Sequence, residues 1–230
     1  MAVENQLTTI KQAFEHDDVK KRFYDMLGKR STSFIVSVID VVSNSPQLSK
    51  AERNSILLAS ANAATLDLPV NPNLGFAYIV PYYDGKLKIY KAQFQMGYKG
   101  FIQLAQRSGQ FTFINATKVV EGEIKEINRL TGEMTFEWEQ DQDERNKKKV
   151  VGFLGYFKLV NGFEKYLYMT INELKAHGLK YSQTFKKGYG QWEDNFEAMA
   201  VKTVLKLLLS KYAPLSPEMQ RAVLTDQDVS

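Results

Sequence analysis

The chain has 230 residues, 44% of them hydrophobic, which is enough for one large domain or two small ones around a sizeable core. It contains no cysteine, and its two histidines, His16 and His177, lie far apart, so disulfides and Cys-based metal sites are excluded and zinc is not expected. The net charge is only +4, the N-terminus MAVENQLTTIK is polar, and no apolar run of about 18 residues occurs, so neither a signal peptide nor a membrane span is expected and the protein is expected in the cytosol.

Residues 1–30 are predicted helical with a break near His16-Asp17-Asp18. Val19, Phe23, Met26 and Leu27 fall at helical spacing, and the polarity around them suggests a stripe that docks on a neighbouring subunit. Gly28 is a plausible stop. Ser31 or Ser33 would cap a helix over 34–42, ended by Ser45-Pro46. Ser49 would cap a third helix reaching about Leu66, with Glu52 at the capping-box position. A turn-rich link over 68–73 leads to a strand over 75–82, a hairpin turn at Asp84-Gly85 and a return strand over 86–95. Alternation in the return strand is imperfect, which predicts a bulge or twist near Tyr90.

Gly97 opens a helix over 98–108 that Gly109 closes, with Phe101, Leu104, Ala105 and Ser108 inward. Strands are predicted over 110–127 and 134–139, about the turn Arg129-Leu130-Thr131-Gly132. Residues 139–149 run acid-then-base without an apolar anchor, the pattern of an exposed, mobile loop. Strands over 150–160 and 163–169 form a hairpin across Asn161-Gly162, and Thr170 with Glu173 makes a capping box for a helix ending at Gly178. Residues 179–191 read as irregular, 194–212 as a long helix, and Ser216-Pro217-Glu218 as the start of a short one. The expected fold class is α+β: antiparallel β-hairpins and sheet packed against helices, with a helical N-terminal segment and a long C-terminal helix.

Charge is segregated along this chain. Residues 85–120 carry six basic and no acidic side chains, 174–192 carry four and none, and 198–217 carry three and none. These stretches hold +13 in a chain of net +4, so the remainder is acidic, and local charge of this kind attracts phosphates. Aromatic and amide side chains are interleaved with the cations, and aromatics beside lysines can stack bases while ammonium groups hold phosphates. The candidate contacts are Lys86, Lys88, Lys91, Gln93, Gln95, Tyr98, Lys99, Gln103, Arg107 and Lys118 in the first stretch. Lys180, Tyr181, Lys186, Lys187 and Tyr189 follow in the second, and Lys202, Lys206 and Lys211 in the third. Lys91, Lys99 and Arg107 lead, because acids that could pair them are absent nearby in sequence, and Gly97 would let a ligand approach the helix start. Residues 180–190 and the Lys202/Lys206 line would face them across a groove.

Other chemistries find little support. No Walker-type GxxxxGK[ST] is present to wrap nucleotide phosphates. The densest acids, Asp141, Asp143 and Glu144, fall in the predicted loop rather than on strands or helices where a metal-dependent nuclease would fix them. With only two scattered histidines, a Ser-His-Asp site is not expected. No catalytic residue, metal site or required cofactor is expected, with Mg2+ at most a modulator.

Three blocks, LDLPVNPNLGFAYIVPY, AQFQMGYKGFIQLAQRSG and WEDNFEAMAVKTVLKLLLSKYAPLS, resemble the RecT family of phage single-strand annealing recombinases, closest in character to prophage members of Gram-positive bacteria. The resemblance implies an ATP-independent protein that coats single-stranded DNA and anneals it to a complementary strand. It also implies a ring- or filament-forming homo-oligomer, a 5′→3′ exonuclease partner that supplies the single strand, and work in the cytoplasm of a bacterial host on both single strands and annealed duplex. Lys206 stands where many members carry arginine, which keeps a phosphate contact but not a bidentate one. The implied organisation is a helical oligomerisation or packing region over 1–70, an annealing core over 71–217, and a tail over 218–230 leading to a partner-docking module that is missing here. A passive single-strand coat and a nuclease are the alternative readings.

Overall fold

In the computed structural model, which describes residues 2–226, the polar N-terminal stretch folds as α1 (Ala2–Glu15) and α2 (Asp17–Leu27), broken at the extended His16. Ile10, Ala13 and Phe14 of α1 and Phe23 and Leu27 of α2 are buried, and the Phe23 ring lies 5.7 Å from Phe14 and 5.9 Å from Phe34. This stripe therefore closes a core within its own chain. Gly28 ends α2 at φ +56° and begins a 3-10 turn that runs straight into α3 (Ser31–Ser43). With no free helix start there, neither serine caps: Ser31 is buried, and the Ser33 hydroxyl donates to the Arg30 carbonyl at 2.9 Å.

Ser49 is also not a cap. It is buried in a 3-10 turn, donating to the Pro46 carbonyl, and α4 (Arg53–Thr65) begins four residues later with Glu52 at its N-cap position and no side-chain cap. The delay has a cause. Ala51 and Glu52 run alongside the strand that follows, where the Glu52 amide donates to the Tyr90 carbonyl at 2.8 Å. Ala59, Ser60, Ala61, Ala63 and Ala64 are buried on α4, and their small size lets other backbone come close.

The hairpin pairs β1 (Ala77–Asp84) with β2 (Ile89–Met96) in one uninterrupted antiparallel register from Ala77↔Met96 to Asp84↔Ile89. The bulge expected near Tyr90 is absent, because β2 starts at Ile89 and alternates regularly from there: Ala92, Phe94 and Met96 are buried. The turn is wider than a two-residue one. Residues 85–88 close it, Lys88 adopts φ +56°, and the Asp84 carboxylate accepts from the amides of Lys86 and Leu87. Pro81 is tolerated because β1 has a free edge. The Ser55 hydroxyl accepts from the Ala92 amide at 2.8 Å, and buried Asp226 accepts from the Met96 amide at 2.8 Å. α5 (Tyr98–Arg107) follows, with Phe101, Leu104 and Ala105 buried and Gly109 at φ +66° just beyond it.

Two compact units result. One comprises the chain up to Gly100 with the segment beginning at Leu224; the other runs Phe101–Val223. In the second, β3 (Phe111–Val120) is followed by the hairpin β4 (Ile124–Ile127) and β5 (Met134–Phe136), then α6 (Gln142–Lys147), β6 (Val150–Leu159) and β7 (Glu164–Thr170). β3, β6 and β7 form an antiparallel sheet in the order β3-β6-β7. The capping box of Thr170 and Glu173 starts α7 (Ile171–Tyr181) as expected, but Gly178 does not stop it. Gly178 instead makes room for an aromatic side chain: a Cβ there would sit 2.9 Å from the Trp192 ring. α8 (Gln183–Lys186), α9 (Gln191–Asp194), α10 (Phe196–Tyr212) and α11 (Pro217–Thr225) complete the order, so much of the 179–191 stretch is helical rather than irregular. Phe153, Leu174, Trp192, Ala200 and Val204 form the core beneath α10.

Residues 139–149 are ordered by charge where apolar anchors are lacking. The Asp141 side chain caps α6 by accepting from the amides of Asp143 and Glu144. From that helix Arg145 reaches Glu123, which is 1% exposed, with Nε 2.5 Å from Oε1, and it also donates to the Lys118 carbonyl. Burial pushes the Glu123 carboxyl up, but the Arg145 hydrogen bond, the Val120 amide and the Arg145 charge together hold it below its ordinary value. A depressed carboxyl stabilises the fold above its unfolded-state pKa, and that contribution is lost as pH falls through the folded-state value. Glu123→Gln is expected to lower stability by about 3–5 kcal/mol at pH 7, since it leaves Arg145 unpaired. In denaturant titrations the gap between variant and wild type should narrow as pH falls below the ordinary glutamate range; a gap independent of pH would show that the ionised carboxylate is not its source.

Candidate nucleic-acid interface

The buried face of the hairpin leaves the other face open. Tyr78, Val80 and Tyr82 of β1 stand there opposite Gln95, Gln93 and Lys91 of β2, all half-buried. The expected contacts Lys91, Gln93 and Gln95 thus share one surface, and Tyr78 and Tyr82 join it. The alternation of β1 carried that signal, but the supposed bulge in β2 hid which residues sat across from it. Lys86 and Lys88 project from the exposed 85–88 loop.

Lys91 is not without an acid. Its ammonium lies 2.9 Å from the Asp84 carboxylate, which sits just before the acid-free stretch and comes within reach through the wide turn. The hydrogen bond from Lys91 holds the Asp84 carboxyl below its ordinary value and, reciprocally, raises the Lys91 ammonium.

Gly97 has a different role from the one expected. It is buried, its amide donates to the Phe76 carbonyl at 2.9 Å, and a Cβ on it would collide with the Gly75 carbonyl. The close approach at this glycine is by the chain's own backbone. Gly100 is similarly closed by the Phe76 carbonyl. Gly75 itself sits at φ +74°, and a Cβ there would lie 3.4 Å from both Lys99 Cδ and the Tyr78 hydroxyl. The Lys99 stem is therefore laid over Gly75 beside Tyr78, while the residue as a whole stays exposed. Along α5, Lys99, Gln103 and Arg107 recur every four residues; Gln103 is half-buried and Arg107 exposed, and Tyr98 is half-buried at the helix start.

In the second unit, Lys118 is half-buried near the end of β3, opposite Phe153. The 180–190 segment carries its five candidates on a built scaffold. Phe185 and Trp192 stack at 5.7 Å beneath it, and the Tyr189 amide donates to the Thr184 carbonyl in a loop that Gly188 and Gly190 turn at positive φ. Lys186, Lys187 and Tyr189 are exposed, and the Lys180 ammonium lies 5.1 Å from the exposed Tyr181 ring. The helical line on α10 grades inward: Ser210 is exposed, Lys206 half-buried, and Lys202 only 5% exposed at the start of the buried run from Lys202 to Leu205. Lys202 thus has its stem in the core, which its periodicity alone does not reveal. Lys211 is exposed beside the Tyr212 ring, which also carries Lys165 at 5.4 Å.

Among the described residues, no group of three or more His, Cys, Asp or Glu side chains is arranged to hold a metal ion, and no helix is long and apolar enough to cross a membrane.

Gly97→Ala is expected to destabilise the chain by about 1–3 kcal/mol or more, because the added methyl meets backbone that cannot move aside. Gly85→Ala, with nothing within 4 Å of its Cβ, should be near neutral. Thermal melts of the two variants side by side check this, and equal midpoints would contradict the close packing at Gly97.

The RecT family model matches residues 32–229. The chain is 42% identical over 226 residues to the uncharacterized protein YqaK of Bacillus subtilis (strain 168), an alignment covering 98% of this chain and 75% of that one. It is 30% identical over 190 residues to Protein RecT of Escherichia coli (strain K12), covering 79% of this chain and 66% of the relative.

Proposed function

The chain belongs to the RecT family of DNA-annealing recombination proteins, and from that premise we propose that it binds single-stranded DNA as a homo-oligomer and pairs it with a complementary strand without nucleotide hydrolysis. The observation that carries the reading is the placement of cations next to aromatic and amide side chains on built supports. In the first unit these are Lys86, Lys88 and Lys99 beside the open hairpin face. In the second they are Lys180, Lys186 and Lys187 beside Tyr181 and Tyr189.

The mechanism needs no covalent step. Lysines and arginines neutralise phosphate repulsion and fix backbone register without reading sequence. Base pairing between the strands then supplies specificity and most of the driving force. On this reading the protein works in a bacterial cytoplasm beside a 5′→3′ exonuclease that exposes the single strand, requires no cofactor, and responds to Mg2+ only as a modulator of DNA charge. Lys91 contributes less than Lys99, since a phosphate must compete with Asp84 for it.

The test is annealing of labelled complementary oligonucleotides without ATP. The expected result is acceleration that falls steeply with salt. Lys99→Ala and Lys187→Ala should each reduce the slope of log K against log salt by about 0.7, the single-strand value per phosphate contact. Slowed annealing would identify a passive coat, and cleavage of the DNA in Mg2+ would identify a nuclease. Unchanged affinity and slope in the combined Lys99→Ala/Lys187→Ala variant would remove these residues from the interface.

A further inference from the structure

The open face of the hairpin is the half-solvated side of a two-stranded sheet. Aromatic and amide groups dominate it: Tyr78, Val80 and Tyr82 on one strand, Gln95 and Gln93 on the other. The Gln93 side-chain oxygen is out of solvent and has no hydrogen-bond partner. A polar atom left this way is disfavoured unless something arrives to satisfy it. Because it lies out of solvent, the amide would have to turn outward to serve a nucleotide, as an acceptor for a base N–H or as a donor to sugar and phosphate oxygens.

Cations lie at both ends of the strip. Lys86 and Lys88 project from the 85–88 loop at one end, and Lys99 is laid over Gly75 beside Tyr78 at the other. Tyr78 and Tyr82 are four strand residues apart, about 13 Å, far enough to serve separate bases. Flat uncharged rings between flanking ammonium groups match a polyanion whose bases are unpaired, and a duplex would hide the faces the rings need.

We propose that this face is a base-stacking track for single-stranded DNA, with Tyr82 and Tyr78 as the stacking residues. The proposal rests on the annealing function and adds to it the groups that meet the bases. Stacking engages base faces and leaves the Watson–Crick edges free, which is the presentation that a second strand requires.

The experiment measures binding of the full chain to a labelled oligo(dT) and to the same oligonucleotide with abasic sites. Wild type is expected to bind the abasic ligand about fivefold to a hundredfold more weakly. Tyr82→Leu, which keeps apolar bulk but has no ring, should bind oligo(dT) more weakly and discriminate less between the two ligands, with the salt slope unchanged. Tyr82→Phe should discriminate as wild type does. Lys99→Ala should show the opposite pattern to Tyr82→Leu, a flatter salt slope with discrimination intact. Full discrimination retained in a Tyr82→Leu/Tyr78→Leu variant overturns the track while leaving the annealing function standing. Wild type that binds neither oligonucleotide overturns both.

Discussion

The hairpin and the helix after it depend on a contact that only glycine permits. Gly97 donates to the Phe76 carbonyl and lies so close to Gly75 that no side chain fits between them. Gly100 is closed by the same Phe76 carbonyl one turn later. This packing fixes where β2 ends, where α5 starts, and how Lys99 leaves the helix. Backbone against backbone is a stiffer support than side chain against side chain, because neither partner has rotamers to change. The Met96 amide, immediately before Gly97, is held by buried Asp226, so a residue 130 positions along the chain braces the same junction.

The second unit uses a different constraint at the corresponding level. β3, β6 and β7 bury one face under α10, and Gly155 lets that helix come within van der Waals contact through Leu208 and Val204. The arm that follows β3 has few apolar residues to bury. It is anchored by Glu123 and Arg145, a charged pair whose members also satisfy the Val120 amide and the Lys118 carbonyl. A buried carboxylate is tolerated here because both of its oxygens accept hydrogen bonds.

Local signals were legible where structure follows from neighbours in sequence. The Thr170/Glu173 capping box, the Asn161-Gly162 hairpin and the break at His16 all appear as the pattern implies. The same pattern at Ser49/Glu52 misleads, because pairing of Ala51 and Glu52 with Tyr90 delays the helix, and nothing local announces a partner 38 residues away. The 139–149 segment misleads for the same reason: its anchor, Glu123, is an unremarkable acid until the fold buries it. At the candidate interface, the clustering of cations was visible in charge counts. The pairing of Lys91 with Asp84 and the burial of Lys202 were not, since each depends on geometry beyond helical or strand periodicity.

Two lysines of the candidate interface are oriented by groups that hold them lightly. Lys99 has its stem over a glycine and Lys180 has its ammonium over a tyrosine ring, whereas Lys91 is held more firmly by its charged hydrogen bond to Asp84. A cation over an exposed aromatic face gains about 0.5–1 kcal/mol, less than the roughly 1.5–3 kcal/mol of a hydrogen bond to a charged group. Such contacts narrow the rotamers of a long side chain before a ligand arrives, and a phosphate can then outcompete them. The ordering entropy that binding would otherwise incur is partly met in the free protein. On the proposed function, phosphate contacts spread over several such lysines would also let an annealed duplex leave, because no single contact would dominate.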